Sequence, residues 1–315
     1  MMHIATCSLY WVLAKEPLVR QLRPTDSTPS TLMDALDLAF TFRGYGWNWS
    51  RGVYFPRETR PSDRIGFVNY VILSAAAHAF ICSITFGALR SFSPVGLGAI
   101  SGGSVFDETL PFLVRYLRSS IISIVGCFAA YSFLQMGYDL STIGGVLLLW
   151  QDPAQWPPAF DAPWRATSLA EFWGRRWHQW FRHIFLVQAG YPLSFFFGRV
   201  GLVIGAFFSS AVFHHVGLYA LDSTSELWRM LVGFGMMVPG IFAERTFKRL
   251  TGRKVGGLAG WVWTMTWLVL WGNWIIDGFV RAGLFRWGKF IYVVPPLRTL
   301  VERLVTDLDT WLHAE

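Results

Sequence analysis

Charge is what this sequence has little of. Lys, Arg, Asp and Glu together make up 15% of its 315 residues, against about a quarter in ordinary soluble domains. Hydrophobic residues reach 53% and mean hydropathy is +0.38. A soluble domain of this length could bury a large core, yet its surface would need more charge than this. A bilayer is the simpler solvent. Cysteine is equally sparse. Cys7, Cys82 and Cys127 lie far apart and form no CxxC pair, which excludes a zinc knuckle and a redox couple and leaves no metal site to expect. Met1 to Ala14 is apolar but has no charged leader and no cleavage site, and it is shorter than the ~20 residues a crossing needs.

Several motifs are missing too. There is no HExxH, GxxxxGK[ST], GxSxG, or GxGxxG after a strand. No His is followed by Asp at the spacing of soluble acyltransferases. The aspartate clusters of membrane prenyltransferases are absent, since Asp34 and Asp37 have no second cluster to work with. Neither an internal repeat nor a low-complexity tract is found.

What is present is apolar and aromatic. Aromatics are 17%, with 17 Trp, a residue that favours the membrane–water boundary. The net charge of +7 sits mostly in connecting segments, which suits juxtamembrane cytoplasmic loops better than a nucleic-acid surface. The pattern predicts an amphipathic helix over Thr31 to Phe42, capped by Ser30 or Thr31, then a loop from Arg43 to Arg64. Spans are expected over Gly66–Leu89, Ile121–Met136, Leu193–Leu221, Leu227–Phe242 and Gly257–Trp274, the last reaching to Phe279. Ser91–Ser104 reads as a Gly/Ser loop, and Ile143–Trp150 as a re-entrant or surface piece. Gln151–Pro163 reads as a connector, Ser168–Phe185 as an amphipathic helix, and Glu244–Lys254 as a basic loop. Phe285–His313 combines a short apolar run, a Pro pair and an amphipathic helix. The fold class is an all-α polytopic membrane bundle of about five to eight spans with interfacial and re-entrant helices. Residues 1–65 form an N-terminal interfacial region and 66–315 a single membrane domain.

The positive-inside rule places the basic residues around Arg165–Arg182 and Arg245–Lys254 in the cytoplasm, and Asp222 and Glu226 on the far side. Arg281, Arg286 and Lys289 do not fit that assignment. The sequon Asn48-Trp49-Ser50 falls on the cytoplasmic side and is expected to be unused.

Two stretches concentrate polar chemistry. In Ser168–Gln179, Ser168 and Glu171 have capping-box spacing, and helical periodicity would put Glu171, Arg175, His178 and Arg182 on one stripe. Such a stripe suits the phosphates of a nucleotide cofactor, because guanidinium matches phosphate with paired donors. It equally suits an interfacial helix on anionic lipid. The second stretch is Phe207–Gly217, with His214 and His215 deep in an uncharged span. Intramembrane ionisable groups are expensive and are functional candidates by default. Adjacent helical residues point about 100° apart. His214 shares its face with the mostly small Ser210, Ala211, Gly217 and Leu218, and His215 with Phe208, Val212 and Tyr219. His214 is therefore the preferred general base, with His215 as the alternative; imidazole's ordinary pKa of about 6.5 suits the task. His178 or a backbone N–H could stabilise an oxyanion. His78, among alanines, and His183 read as structural or surface groups.

At these residues the chain resembles the wax synthase-like branch of the membrane-bound O-acyltransferases, especially fungal acetyltransferases of terpenoid and meroterpenoid pathways. The resemblance rests on Asp37-Leu38 with Arg43-Gly44-Tyr45-Gly46-Trp47, on Ser168-Leu169 with Phe172-Trp173-Gly174-Arg175-Arg176-Trp177-His178, and on Ser210-Ala211-Val212-Phe213-His214. The middle string is the specific one. The resemblance implies His214 as catalytic base and His178 as the second polar active-site residue, with Arg175, Arg176 and Arg182 as cofactor-binding candidates. It also implies acetyl-CoA or another acyl-CoA as co-substrate with no tightly bound cofactor, a lipophilic alcohol such as a terpenoid as acceptor, and an endoplasmic reticulum location. A long-chain wax synthase is the nearest variant. Ala211 stands where the family has Gly, and the N-terminus is shorter than the family pattern by one or two spans. Rival classes are a transporter with a histidine relay, which lacks paired broken helices, and a membrane cyclase, which needs buried carboxylic acids that the confident spans scarcely carry. Counted from Leu193, His214 falls in the half of the membrane away from the cytoplasm, so a tunnel or a later-starting helix is required for CoA to reach it.

Overall fold

The computed structural model describes residues 16–23, 30–41, 43–50, 52–92, 103–285 and 295–314, with Ser8, Trp11 and Val12. Cys7, most of Met1–Ala14, most of the Gly/Ser loop, and the apolar run with Arg286 and Lys289 lie outside the described residues. Regular structure among the described residues is helical: α1 (Thr31–Phe40), α2 (Arg64–Ser91), α3 (Phe112–Leu147), α4 (Tyr191–Tyr219), α5 (Leu227–Gly235), α6 (Met237–Thr251), α7 (Gly257–Arg281) and α8 (Pro295–Ala314). Among the described residues, four segments are long and apolar enough to cross a membrane: Arg64–Ser91, Phe112–Leu147, Arg182–Tyr219 and Leu227–Thr251. The chain is a membrane protein with the all-helical bundle expected of it. Helix α7 is of comparable length, 25 residues, but rich in Trp.

Helix α1 starts where its cap predicts: Ser30 Oγ accepts from the Met33 N–H. Helices α2 and α3 pack antiparallel, with Ser74 against Asp139 and Cys82 against Ala129. Helix α3 runs unbroken for 36 residues, so the separate surface piece predicted from Ile143 is its last turn. Polar residues before Ile143 are absorbed within the helix pair, so the helix continues through them. Asp139 accepts from the Ser74 hydroxyl and the Gln135 amide, both at 2.7 Å, and Thr142 bonds the Tyr138 carbonyl. The basic loop predicted from Glu244 is likewise helix as far as Thr251, where Gly252 at φ 71° closes it with its N–H on the Lys248 carbonyl.

The largest correction concerns the span predicted over Leu193–Leu221. Gly198 has φ 56° and ψ −138°, outside helical values, and the chain turns back there. A Cβ on Gly201 would meet the Leu193 carbonyl, one on Gly205 would meet the Ala189 carbonyl, and Ser209 Oγ donates to Gln188 Oε1 at 2.7 Å. In a continuous helix residues 189 and 205 would stand about 24 Å apart. Residues 182–197 and 199–219 therefore form an antiparallel hairpin. Its two open ends meet, as the Phe181–Phe213 contact at 4.6 Å requires. Arg182 and Asp222 consequently lie toward one end of the hairpin, and the opposite-face assignment made from a single crossing does not hold. The reversal, rather than a tunnel or a later-starting single crossing, returns His214 toward the end of the hairpin that holds Arg182.

Helix α8 is held by charge. Arg118, 1% exposed, pairs with Asp309 at 2.6 Å, and His313 Nε2 reaches Asp107 Oδ2 at 3.1 Å. The Asp309 carbonyl and then the Asp107 carboxylate hold the His313 pKa above its usual value. Burial raises the Asp107 carboxyl, but hydrogen bonds from the Thr109 hydroxyl, His313 and the Thr109 N–H outweigh it and hold it at about 2.

Two outcomes follow from these contacts. Gly205→Ala, whose methyl meets backbone rather than a movable side chain, should lower stability by about 1–3 kcal/mol. Gly137→Ala, with nothing within 4 Å, should be neutral or slightly stabilising. Thermal unfolding of the detergent-purified variants reads both. The His313 contribution is fully present below its unfolded pKa, about 6.5, and is lost as pH rises through the raised folded value. The Asp107 contribution is present above about 3.8 and is lost as pH falls through about 2. The protection of α8 amides, after correction for the intrinsic pH-dependent exchange rate, should thus be greater near pH 5 than near pH 8, by an amount within ~1 kcal/mol because His313 is partly exposed. His313→Ala should remove that difference.

Candidate functional site

The Asp37 and Arg43-Gly44-Tyr45-Gly46-Trp47 residues build a strut. Arg43 is buried and donates to the Pro157 carbonyl (2.5 Å), the Pro158 carbonyl (2.7 Å) and Tyr138 Oη (3.1 Å). Trp47 Nε1 donates to Asp37 at 2.7 Å. Gly44 and Gly46 sit at φ 62° and 81°, and a Cβ would strike the Trp49 ring or the Leu22 carbonyl. This strut holds the 156–163 connector against the next string, with Phe160 5.6 Å from the His178 ring.

The string Ser168–Phe185 is not one amphipathic helix. Its cap forms, since Ser168 Oγ accepts from the Glu171 N–H at 3.1 Å, but the α-helix lasts only Leu169–Glu171. A π-turn Phe172–Arg176 follows, then an irregular stretch, then Arg182–Phe185 and a second π-turn Leu186–Gly190. Backbone groups freed by the break find side chains. Glu244 accepts from the N–H groups of Leu169 (2.6 Å) and Ala170 (3.2 Å) and from Trp263. The Gln179 amide donates to the Trp173 and Trp177 carbonyls. Glu244 has no motif signal; its position in an apolar helix was the available clue.

With the helix broken, the predicted common stripe of Glu171, Arg175, His178 and Arg182 does not exist. Arg176 turns inward, bonding Glu171 at 2.7 Å and the Asp161 carbonyl at 2.8 Å. Arg175 is exposed, its guanidinium 5.7 Å from the Tyr54 ring centre. Arg182 reaches the Gln179 side chain at 3.4 Å.

The two histidines do converge. His178 lies among Phe160, Trp177, Trp180 and Phe181, stacked on Trp180 at 4.8 Å. Its Nδ1 is buried with no hydrogen-bond partner. Burial, then the charges of His214 and Arg43, push its pKa down to about 3, so the ring is neutral over the physiological range. His214 stacks on Phe234 at 4.6 Å and lies 6.2 Å from Phe279. Phe181 and Phe213 connect the two imidazoles. His214 Nδ1 is 2.7 Å from the Ser210 carbonyl. A carbonyl only accepts, so Nδ1 carries the proton and the neutral ring keeps its lone pair on Nε2. His215 instead approaches Ser225 Oγ at 3.4 Å and Tyr219. Ala211, where the resembled family has Gly, is accommodated at 1% exposure against the α5 side of the groove.

Two cavities lie along the seam between α4 and α5, one before and one after His214 on α4, and the imidazole itself is in the lining of neither. One, about 350 Å³, is lined by carbon-rich side chains including Phe207, Ala211, Leu231 and Val238. The other, about 260 Å³, is lined by Leu218, Ser225, Glu226, Arg229 and Arg281. Sequence reasoning missed the buried hub behind it. Asp277, fully buried, holds Arg229 and Arg281 and accepts from Ser104 Oγ and the Val105 N–H, both at 2.8 Å. Buried carboxylates are thus present after all, at Asp139, Glu244 and Asp277, and each is committed to structural partners.

The fold and site define an all-helical membrane bundle with two half-buried histidines linked through Phe181 and Phe213. Residues 156–236 match the Membrane bound O-acyl transferase family, a segment that contains His178, His214 and all three arginines. Over that segment the resemblance read from the motifs is borne out. Curated relatives include an O-mevalon transferase of Aspergillus niger, 30% identical over 51% of this chain and 36% of the relative. An acetyltransferase of Rhodocybe pseudopiperita is 25% identical over 78% and 65%, and one of Hericium erinaceus 28% identical over 44% and 40%. The chain spans between about a third and two thirds of the length of these relatives. No solved structure matches it.

Glu244→Ala should leave the Leu169 and Ala170 N–H groups buried and unbonded, costing about 2–4 kcal/mol. Glu244→Gln, which keeps one acceptor oxygen, should cost less. Thermal unfolding of the two variants orders them.

Proposed function

We propose that this protein is a membrane-bound O-acyltransferase that moves an acyl group from a CoA thioester to the hydroxyl of a lipophilic alcohol. Acetyl is the acyl group, a terpenoid-type metabolite the acceptor and the endoplasmic reticulum the site, with residues 66–315 acting as one domain. The observation that carries the reading is the orientation of His214, whose Nδ1 is committed to the Ser210 carbonyl and whose Nε2 is left as the basic nitrogen. The printed names of the relatives, acetyltransferases and an O-mevalon transferase, support the reaction class.

In this mechanism His214 Nε2 takes the hydroxyl proton as the alcohol oxygen attacks the thioester carbonyl carbon. The carbonyl oxygen becomes negative, and His178 donates its unpartnered Nδ1–H to it. The tetrahedral intermediate collapses, the C–S bond breaks, and the departing thiolate recovers the proton from the His214 imidazolium. Ester and free CoA leave, and no covalent enzyme intermediate forms. Of the three arginines, Arg175 is the exposed one and is assigned to the CoA phosphates; Arg176 and Arg182 orient the string around it.

Membranes carrying the protein are incubated with labelled acetyl-CoA and a terpenoid alcohol. His214→Ala should lose at least a hundredfold of the ester label and His178→Ala about ten- to a hundredfold. His215→Ala should retain activity, and Ser210→Ala should too, because the backbone carbonyl that sets the ring persists. Equal label from wild type and His214→Ala would overturn the proposal.

A further inference from the structure

We propose that the groove between α4 and α5 is a two-ended acceptor site whose polar end, through Arg281, recognises a carbonyl or carboxylate oxygen about one helical turn from the reacting hydroxyl. The inference rests on His214 as the base and goes on to the class of alcohol that fits beside it.

Ala211, His214 and Leu218 lie at i, i+3 and i+7, one stripe of α4. Ala211 lines the apolar cavity and Leu218 the polar one, with His214 between them. Across the groove the order repeats on the α5 side: Leu231 and Gly235 face the first cavity, Phe234 stacks on the imidazole, and Glu226 and Arg229 line the second. Helical rise puts the apolar wall about 4.5 Å to one side of His214 and the polar wall about 6 Å to the other.

The chemistry of the polar end is one-sided. Arg229 is spent, with Nε on Glu226 and Nη1 on Asp277. Arg281 gives Asp277 only its Nε, at 3.0 Å, and its two terminal nitrogens bond no described residue. The Arg281 side chain is 41% exposed, so its free fork is open to an incoming group, and because a guanidinium offers donors alone a ligand group that pairs with it is an accepting oxygen. Asp277 is fully buried and held by four partners, which anchors Arg281 through its Nε. A nucleotide is disfavoured by size, because the cavity is about 260 Å³. The acceptor that fits has an apolar skeleton on one side of its hydroxyl and an oxygen function about 6 Å away on the other.

The test uses the full chain in lipid nanodiscs and equilibrium binding of tritiated 6-hydroxyhexadecanoic acid, its methyl ester and hexadecan-6-ol. Wild type should bind the acid at least tenfold more tightly than the plain alcohol. A matching gain for the ester assigns recognition to the carbonyl, and a gain for the acid alone assigns it to the carboxylate. Arg281→Gln should collapse the ratio toward one and Arg281→Lys should retain part of it. Should Arg281→Gln not elute as a folded species, Ser225→Leu, which fills the same cavity, carries the test. Equal affinities for all three probes in wild type, or an unchanged ratio in the folded variants, would overturn the inference. His214→Ala should keep the binding ratio while losing transfer, so transfer retained in that variant with the ratio intact counts against the base assignment alone.

Discussion

The contact on which the rest depends is backbone against backbone. Gly201 and Gly205 lie directly against the carbonyls of Leu193 and Ala189, and only residues without side chains permit that approach. The approach lets the hairpin close at Gly198 and return residue 213 to residue 181. Without it, residues 182–219 would make one long rod, with His214 and His178 at distant points along it. The hairpin converts a separation of 36 positions in sequence into neighbouring rings joined by Phe181 and Phe213.

A broken helix inside a membrane bundle needs its polar backbone satisfied from elsewhere. The Ser168–Phe185 string meets this with side chains from other segments. Glu244 of α6 bonds the exposed N–H groups at its start, and Gln179 bonds the carbonyls in its middle. The irregularity has a consequence for the site: π-turns re-aim side chains that a regular helix would align. Arg176 turns in to Glu171 and Asp161, Arg175 stays outside, and His178 enters the aromatic cluster. One sequence string thereby supplies a structural ion pair, an exposed cation and a half-buried imidazole.

The legible part of the sequence was its solvent and its two histidine neighbourhoods. Composition announced the bilayer, and α1, α2 and α7 stand close to their predicted limits because apolar periodicity and caps act locally. Periodicity misread Ser168–Phe185, since residues at helical spacing do not reveal that Glu244, 75 positions away, holds the chain in another shape. It misread Leu193–Leu221 because small residues in an apolar run look the same whether they face lipid or a returning strand of backbone. Side-chain sizes along the helix separated His214 from His215, but they did not show that Phe234 and Phe279 from other helices stack beside His214. The Asp277 hub was not legible, because its partners come from residues 104, 105, 229 and 281, and no local pattern joins them.

An imidazole fixed by a backbone carbonyl differs from one fixed by a carboxylate. A carboxylate partner would stabilise the protonated ring and bring a second buried charge into an apolar groove. The Ser210 carbonyl sets the same tautomer with a dipole already present in the helix, so the orienting group adds no charge to desolvate. That economy suits a groove whose one end is wholly apolar, and it leaves the formal charges of the region gathered around Asp277 at the other end. Polarity is therefore graded along a single stripe of α4. For an acceptor of the proposed class this gradient would favour one orientation, its skeleton toward Phe207 and Leu231 and its oxygen functions toward Arg281, and fixed orientation of that kind supplies much of the rate in transfers between two bound groups.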